Sequence, residues 1–287
     1  MSDKFSIGNV QYRDSVFRDY FNEPKRLLAL CNSLLNEQFQ DTLELEINTL
    51  QGNFFSALKN DISCRIGNQF LVLIEHQSTV NENMPFRCLT YVAELLNNMA
   101  GEKSKFYSKQ MVKFPVPKFF VFYDGDDNET LQRKMKLSDA FNGDSSSLEL
   151  VVNLYNINRE LNQPLLKKCT YLNEYSILVG KVKEGRTAGL NRRIAIRNAV
   201  NWCISNGVMK EYLLSKKEEV FTMLDWQWDI NEAKTVWQEE ARAEGATQNA
   251  EKIAMKMLRR GKSLEEVSED TELPLQRVKE LSLSING

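Results

Sequence analysis

A chain of 287 residues is long enough for one substantial core plus an appendage, or for two modest domains. With 42% hydrophobic and 26% charged residues, 6 prolines and 13 glycines, it is neither a disordered nor a fibrous composition. A formal net charge of −2 excludes the globally basic signature of many nucleic-acid binders, so local charge has to carry that question.

No apolar run reaches the roughly 18 residues of a membrane-spanning helix, and the N-terminus Met-Ser-Asp-Lys-Phe-Ser-Ile-Gly lacks the apolar stretch of a signal peptide. A cytoplasmic protein without membrane contact is expected. The five cysteines are widely spaced, form no CxxC pair and sit among apolar residues, as reduced buried thiols do. His76 is the only histidine, so a Ser-His-Asp triad, a Cys-His pair or a multi-histidine metal site would each depend on that one residue. Carboxylates, amides, lysines and hydroxyls are left to carry any chemistry.

In chain order, residues 12–36 read as helical. Asp14 or Ser15 is a candidate cap for an apolar face of Val16, Phe17, Tyr20 and Phe21, and Pro24 opens a second stretch through Leu35. Leu43 to Ile47 alternates as a half-buried strand does. Asn60 to Ile66 reads as a second strand, Gly67-Asn68 as a tight turn, and Phe70 to Ile74 as a strand covered on both faces. A helix is expected over 85–99, with Leu89, Val92, Leu96 and Met99 as its stripe. Lys118 to Tyr123 and Leu148 to Tyr155 supply two further strands. The order helix, three strands, helix, two strands describes an α/β protein with a mixed central sheet and flanking helices.

From Tyr171 onward the pattern is helical throughout, with helices expected over 194–204 and 210–224. Trp226, Trp228 and Trp237 mark a packed junction or a partner-facing surface. The stretch from Glu239 reads as a long exposed helix to Arg260, with Gly261 as its C-cap. Ser263 and Glu266 have capping-box spacing, and Pro274 starts a last helix with Leu275, Val278 and Leu281 inward. The organisation expected is a core over 1–170, a helical extension over 171–238 and a helix-turn-helix-like region over 239–287. The mixed charge of Gln276, Arg277, Lys279 and Glu280 favours a regulatory or homo-oligomerising role for that region over DNA reading.

Two local basic stretches are candidate phosphate contacts: Lys181, Lys183, Arg186, Arg192, Arg193 and Arg197 against Glu184, and Lys103, Lys105, Lys109, Lys113 and Lys118 against Glu102. Both also suit solvated helix or loop faces.

The chemistry concentrates on Asp61, Glu75 and Gln77. Strand alternation puts Glu75 and Gln77 on one face and His76 on the other, and a short hairpin brings Asp61 alongside Glu75. Two hard oxygen ligands at a sheet edge suit Mg²⁺, with the His76 backbone carbonyl as a candidate third ligand. Such a site suits phosphodiester hydrolysis, because the cation acidifies a water and offsets charge on the phosphate. A lysine usually occupies the position of Gln77; an amide carries no charge and can only orient water or donate to a phosphate oxygen. The spacing alone equally describes solvated strand ends or turn caps.

Several blocks in order resemble the Rpn family of recombination-promoting nucleases and transposases, within the PD-(D/E)XK superfamily. They are Arg13 to Phe21, Leu45 to Leu50, Asn60-Asp61-Ile62, Leu73 to Ser78, Asn83 to Arg87 with Tyr91, and Val151 to Asn158, and the similarity runs from about residue 11 to at least 225. The resemblance implies a restriction-endonuclease-like fold of PD-(D/E)XK type. It implies a bacterial or mobile-element DNA endonuclease dependent on Mg²⁺, Ca²⁺ or Mn²⁺, with little sequence preference, acting in recombination, transposition or defence against foreign DNA. By the same resemblance Asp61 and Glu75 are metal ligands and Gln77 the third motif member. Asp14 supports a second metal or is an N-cap, with Arg18 beside it. Arg87 and Tyr91, at i and i+4, flank the site or hold helix to sheet. A non-catalytic nuclease-fold module that binds DNA or a protein partner is the alternative.

Overall fold

The computed structural model describes residues 16–53, 56–101, 107–126, 130–143, 147–161 and 163–285, with backbone alone for 51–53, 56–59, 160, 226–241, 243–244 and 284–285. Asp14, Lys103 and Lys105 fall outside the described residues, as do the side chains of Trp226, Trp228 and Trp237.

Two short helices open the described chain, α1 (Val16–Phe21) and α2 (Pro24–Leu35). The α2 cap is Glu23, whose carboxylate accepts from the backbone N–H groups of Lys25 and Arg26. Pro24 occupies the first turn, where its missing N–H costs no bond, and Asn36 closes the helix at φ 55°.

A six-stranded sheet follows, with β1 (Leu45–Ile47), β4 (Ile62–Ile66), β5 (Phe70–Gln77), β6 (Val116–Tyr123), β8 (Val151–Asn156) and β7 (Gln132–Lys136) adjacent in that order. β4 and β5 form an antiparallel hairpin around Gly67, whose φ of 52° suits a residue without Cβ. β5, β6 and β8 run parallel, and β7 closes the edge antiparallel to β8. The sheet is mixed, as the pattern predicts. β7 and the two-stranded pair β2 (Gln51–Asn53) and β3 (Ser56–Lys59) were not expected from the sequence. The strands read as beginning at Leu43 and Asn60 begin later, because Thr42–Glu44 forms a 3₁₀ turn and Asn60-Asp61 precede β4.

Helices cover both faces. α3 (Met84–Ala100) buries Met84, Cys88, Tyr91, Val92 and Leu95 against Leu73, Val121, Tyr123, Val152 and Leu154. On the opposite face, Phe17 of α1 packs against His76, Phe122 and Tyr175, and Cys31 of α2 approaches Cys64. All five cysteines are buried thiols.

The helical half comprises α4 (Pro164–Lys168), α5 (Thr170–Thr187), α6 (Arg192–Ser205), α7 (Lys210–Ser215), α8 (Lys217–Arg259), α9 (Leu264–Thr271) and α10 (Leu275–Ile285). α8 is one continuous helix of 43 residues, where the sequence suggested two segments. The chain divides into two compact units between Trp226 and Gln227. Within the first, Tyr20 on α1 donates to Glu174 on α5 (2.7 Å), and Asp19 accepts from Tyr212 (2.7 Å) and Lys216 (2.8 Å). The second has its own core of Ala254, Val267, Leu273, Val278 and Leu281. The capping box of Ser263 and Glu266 forms as its spacing predicts. Leu275, expected to face inward, is instead 37% exposed, one turn before the buried Val278 and Leu281. No described helix is long and apolar enough to cross a membrane.

Candidate active site

The hairpin register pairs Ile62 with Ile74, which sets Asp61 opposite Glu75. Asp61 is held from the adjoining loop: Asn60 and Leu50 exchange hydrogen bonds, the Asn60 side-chain Oδ1 accepting from Leu50 N–H at 2.7 Å and the Asn60 N–H donating to the Leu50 carbonyl. The backbone N–H of Asp61 donates to Glu75 Oε1 (3.0 Å), and the backbone N–H of His76 donates to Asp61 Oδ2 (2.8 Å). The two carboxylates are thus locked to each other's main chain.

Glu75 is 4% exposed. Burial and then the neighbouring Asp61 carboxylate push its carboxyl up to about 8, although Arg87 and the Asp61 N–H pull the other way. Arg87 Nη2 reaches Glu75 Oε2 at 3.1 Å and Tyr91 Oη at 2.8 Å, so both reach the site from α3. Arg87 flanks the acidic pair and ties helix to sheet; the two readings open from the sequence coexist.

Gln77 shares the face of Glu75. Its Nε2 contacts Met84 Sδ, while among the described residues its buried Oε1 has no hydrogen-bond partner. A buried acceptor without a partner costs about 1–3 kcal/mol, so this oxygen suits a cation or a donor.

His76 faces the opposite side, as alternation requires. Its ring stacks on Phe17 (centroids 5.0 Å apart), and Nε2 lies 3.1 Å from Asp124 Oδ2 and 3.3 Å from Tyr175 Oη. Burial disfavours its charge, but the Asp124 carboxylate outweighs that and holds the imidazole above its usual value; Asp124 is held below its own despite burial. Lys183 Nζ closes the network on the carbonyls of Asp124 and Gly125 and on Asn158 Oδ1. The sequence gave no sign of this back-face clamp, because its members lie up to 107 positions apart, from His76 to Lys183.

The other nominated residues are dispersed. Arg18 lies on α1, partly buried. In the 181–197 stretch, Lys181 pairs with Glu184, Arg192 and Arg193 with Asp225, and Arg197 lies over Phe221. These basic groups are largely spent on internal partners rather than presented as a free strip.

The pair fits a hard divalent cation. Two converging carboxylates, one of them held protonated near neutrality by its burial and its neighbour, are balanced only in part by Arg87, and the Gln77 oxygen adds a third hard donor. Among the described residues no group of three or more His, Cys, Asp or Glu side chains could hold a metal, so this pair would be the acidic part of any donor set.

No curated protein and no solved structure matches the chain. The family model described as "Putative transposase, YhgA-like" matches residues 11–163, which is more than half of the chain and includes Asp61, Glu75, Gln77, Arg87 and Tyr91. The chain belongs to this Rpn/YhgA transposase family.

Proposed function

We propose that the protein is a metal-dependent DNA endonuclease of the PD-(D/E)XK type, with little sequence preference, acting in recombination, transposition or defence against foreign DNA. The observation that carries the reading is the mutual lock of Asp61 and Glu75, which keeps two repelling carboxylates together at the adjoining ends of the interior strands β4 and β5. A fold stabilised only by packing gains nothing from that repulsion.

Asp61 and Glu75 would hold Mg²⁺, Mn²⁺ or Ca²⁺, with the His76 carbonyl as a further ligand. When bound, the cation supplies charge stabilisation at the phosphate and acidifies a water. Gln77 orients that water or donates to a phosphate oxygen; it cannot take the proton, which leaves through a substrate phosphate or solvent. Arg87 balances Glu75, and with a cation held there it would be free to turn to a phosphate oxygen. Behind the sheet, the His76 clamp fixes the backbone N–H that orients Asp61.

The described C-terminal helices favour oligomerisation or regulation over DNA reading, since Arg277 is already paired with Glu251 and Glu280. Association through them would bring two single-cut centres together. A test is incubation of supercoiled plasmid with purified protein in Mg²⁺, Mn²⁺, Ca²⁺ or EDTA. Nicking with a divalent cation and none in EDTA supports the reading. Binding without cutting in every cation would favour a non-catalytic nuclease-fold module.

A further inference from the structure

Beside the acidic pair, on the same face of the sheet, lies a cavity of about 140 Å³ whose walls include Val80, Tyr123, Thr130, Arg133, Leu154 and Asn156. The register sets it on the site's face of the sheet. Gln77 pairs with Tyr123, Tyr123 with Asn156, and Leu154 with Arg133, so these side chains share the face that carries Glu75. At about 4.8 Å per strand, the cavity spans about 5 to 14 Å along the sheet from Gln77. Successive nucleotides advance about 3.4 Å along a duplex axis, so a nucleotide close to the scissile phosphate reaches it.

Size and chemistry narrow the occupant. The volume equals about four to five waters at roughly 30 Å³ each. It is well below the roughly 300 Å³ of a small-molecule site, and suits one planar heterocycle. Val80, Leu154 and the Tyr123 ring give apolar and aromatic walls, while Thr130 and Asn156 add polar groups. Among the described residues Arg133 Nε, a buried donor, has no hydrogen-bond partner, which leaves it available to an acceptor on this wall. The same guanidinium is ion-paired through Nη2 to Glu82 at 2.6 Å. That carboxylate neutralises the arginine and disfavours an anion, which points away from a phosphate and towards a neutral ligand with an acceptor edge.

We propose that this cavity receives one nucleobase, turned out of the duplex, from the strand whose phosphate lies against Asp61 and Glu75. The assignment rests on the nuclease reading for the identity of the ligand, and it adds a selectivity that the acidic pair lacks. Extrusion costs least at a mismatched base, so mismatched DNA is the preferred substrate.

The test uses the full-length protein in EDTA, where cutting is absent, and a duplex carrying one 2-aminopurine in a mismatch. Wild type is expected to raise the fluorescence several-fold, and less when the same base is matched. Thr130→Trp, which fills the cavity, and Arg133→Met, which removes the open donor, are expected to cut that rise at least fivefold. A free nucleoside should compete and inorganic phosphate should not. An unchanged signal on binding, a signal indifferent to both substitutions, or competition by phosphate alone would overturn the proposal. The wild-type profile decides even if one variant fails to fold. The two readings separate: base extrusion without cutting in any cation sinks the nuclease and spares the cavity, whereas cutting with a flat fluorescence response does the reverse.

Discussion

The backbone N–H of Asp61 donates to the Glu75 carboxylate across 3.0 Å, while Asp61's own carboxylate accepts from the next residue, His76, at 2.8 Å. Each acid therefore orients through the other's strand, and disturbing one displaces both. Asp61→Ala should consequently reduce divalent-cation affinity at least as much as Glu75→Ala does. Calorimetric titration of Mn²⁺ into both variants checks this; near-wild-type affinity in either would show that the pair does not act as a unit.

Glu75 gives a pH dependence with a defined sign. Its carboxyl is raised from the ordinary range to about 8 by burial and Asp61, so between about pH 4.5 and 8 the unfolded chain releases a proton that the folded protein retains. Metal-free protein should thus lose stability as pH rises through that window and change little above it on Glu75's account. His76, also raised, adds stability below about pH 6.5 that is lost as pH rises above it. Thermal melts in EDTA from pH 5 to 9 should slope downward, Glu75→Gln should flatten most of the slope, and Mg²⁺ should restore most at high pH. A Tm independent of pH would contradict the shift.

Gln77 separates activity from stability. Among the described residues its buried Oε1 has no partner, so Gln77→Leu removes an unmet acceptor and should leave stability unchanged or raise it by up to about 1 kcal/mol. Cleavage should nevertheless fall by tenfold or more. A variant that loses stability while keeping its cutting rate would show that the amide is only structural.

The clamp behind the sheet should be costly to break. Asp124 and His76 are both buried, and removing one partner of such a pair typically costs about 3–5 kcal/mol. Asp124→Asn keeps the shape and a hydrogen bond, so a loss nearer 2 kcal/mol is expected, within that order of magnitude. Denaturant unfolding measures it, and an unchanged midpoint would remove the clamp from the account.

The second unit should melt on its own terms. Val278 is fully buried among Ala254, Val267 and Leu281, and an aspartate there would carry an unpaired charge into the core. Val278→Asp should abolish protection of amides in α9 and α10 in hydrogen exchange, while β5 and β6 stay protected. Loss of protection in both would show that the units unfold together.

Much of β5 was legible in the sequence. Alternation across Phe70–Gln77 separated His76 from Glu75 and Gln77, and the Gly67 turn fixed the hairpin that brings in Asp61. β7 was not legible because Gln132–Lys136 is an edge strand whose inward positions are Arg133 and Met135, so its one apolar residue shows no hydrophobic alternation in the sequence. The Arg87–Glu75 contact left one usable sign, an arginine at the start of an otherwise apolar helix. The His76–Asp124–Lys183 clamp and the cavity left none, since each joins side chains through sheet register and helix packing rather than through spacing along the chain.

The most direct test of the central claim is the rate of Mg²⁺-dependent plasmid nicking by Asp61→Asn, measured against wild type at matched folding. The substitution keeps the acceptor towards His76 and removes one charge from the pair. A fall of a thousandfold or more is predicted, corresponding to about 4 kcal/mol of transition-state stabilisation. Cutting within tenfold of wild type would contradict the assignment of Asp61 and Glu75 as the reacting centre.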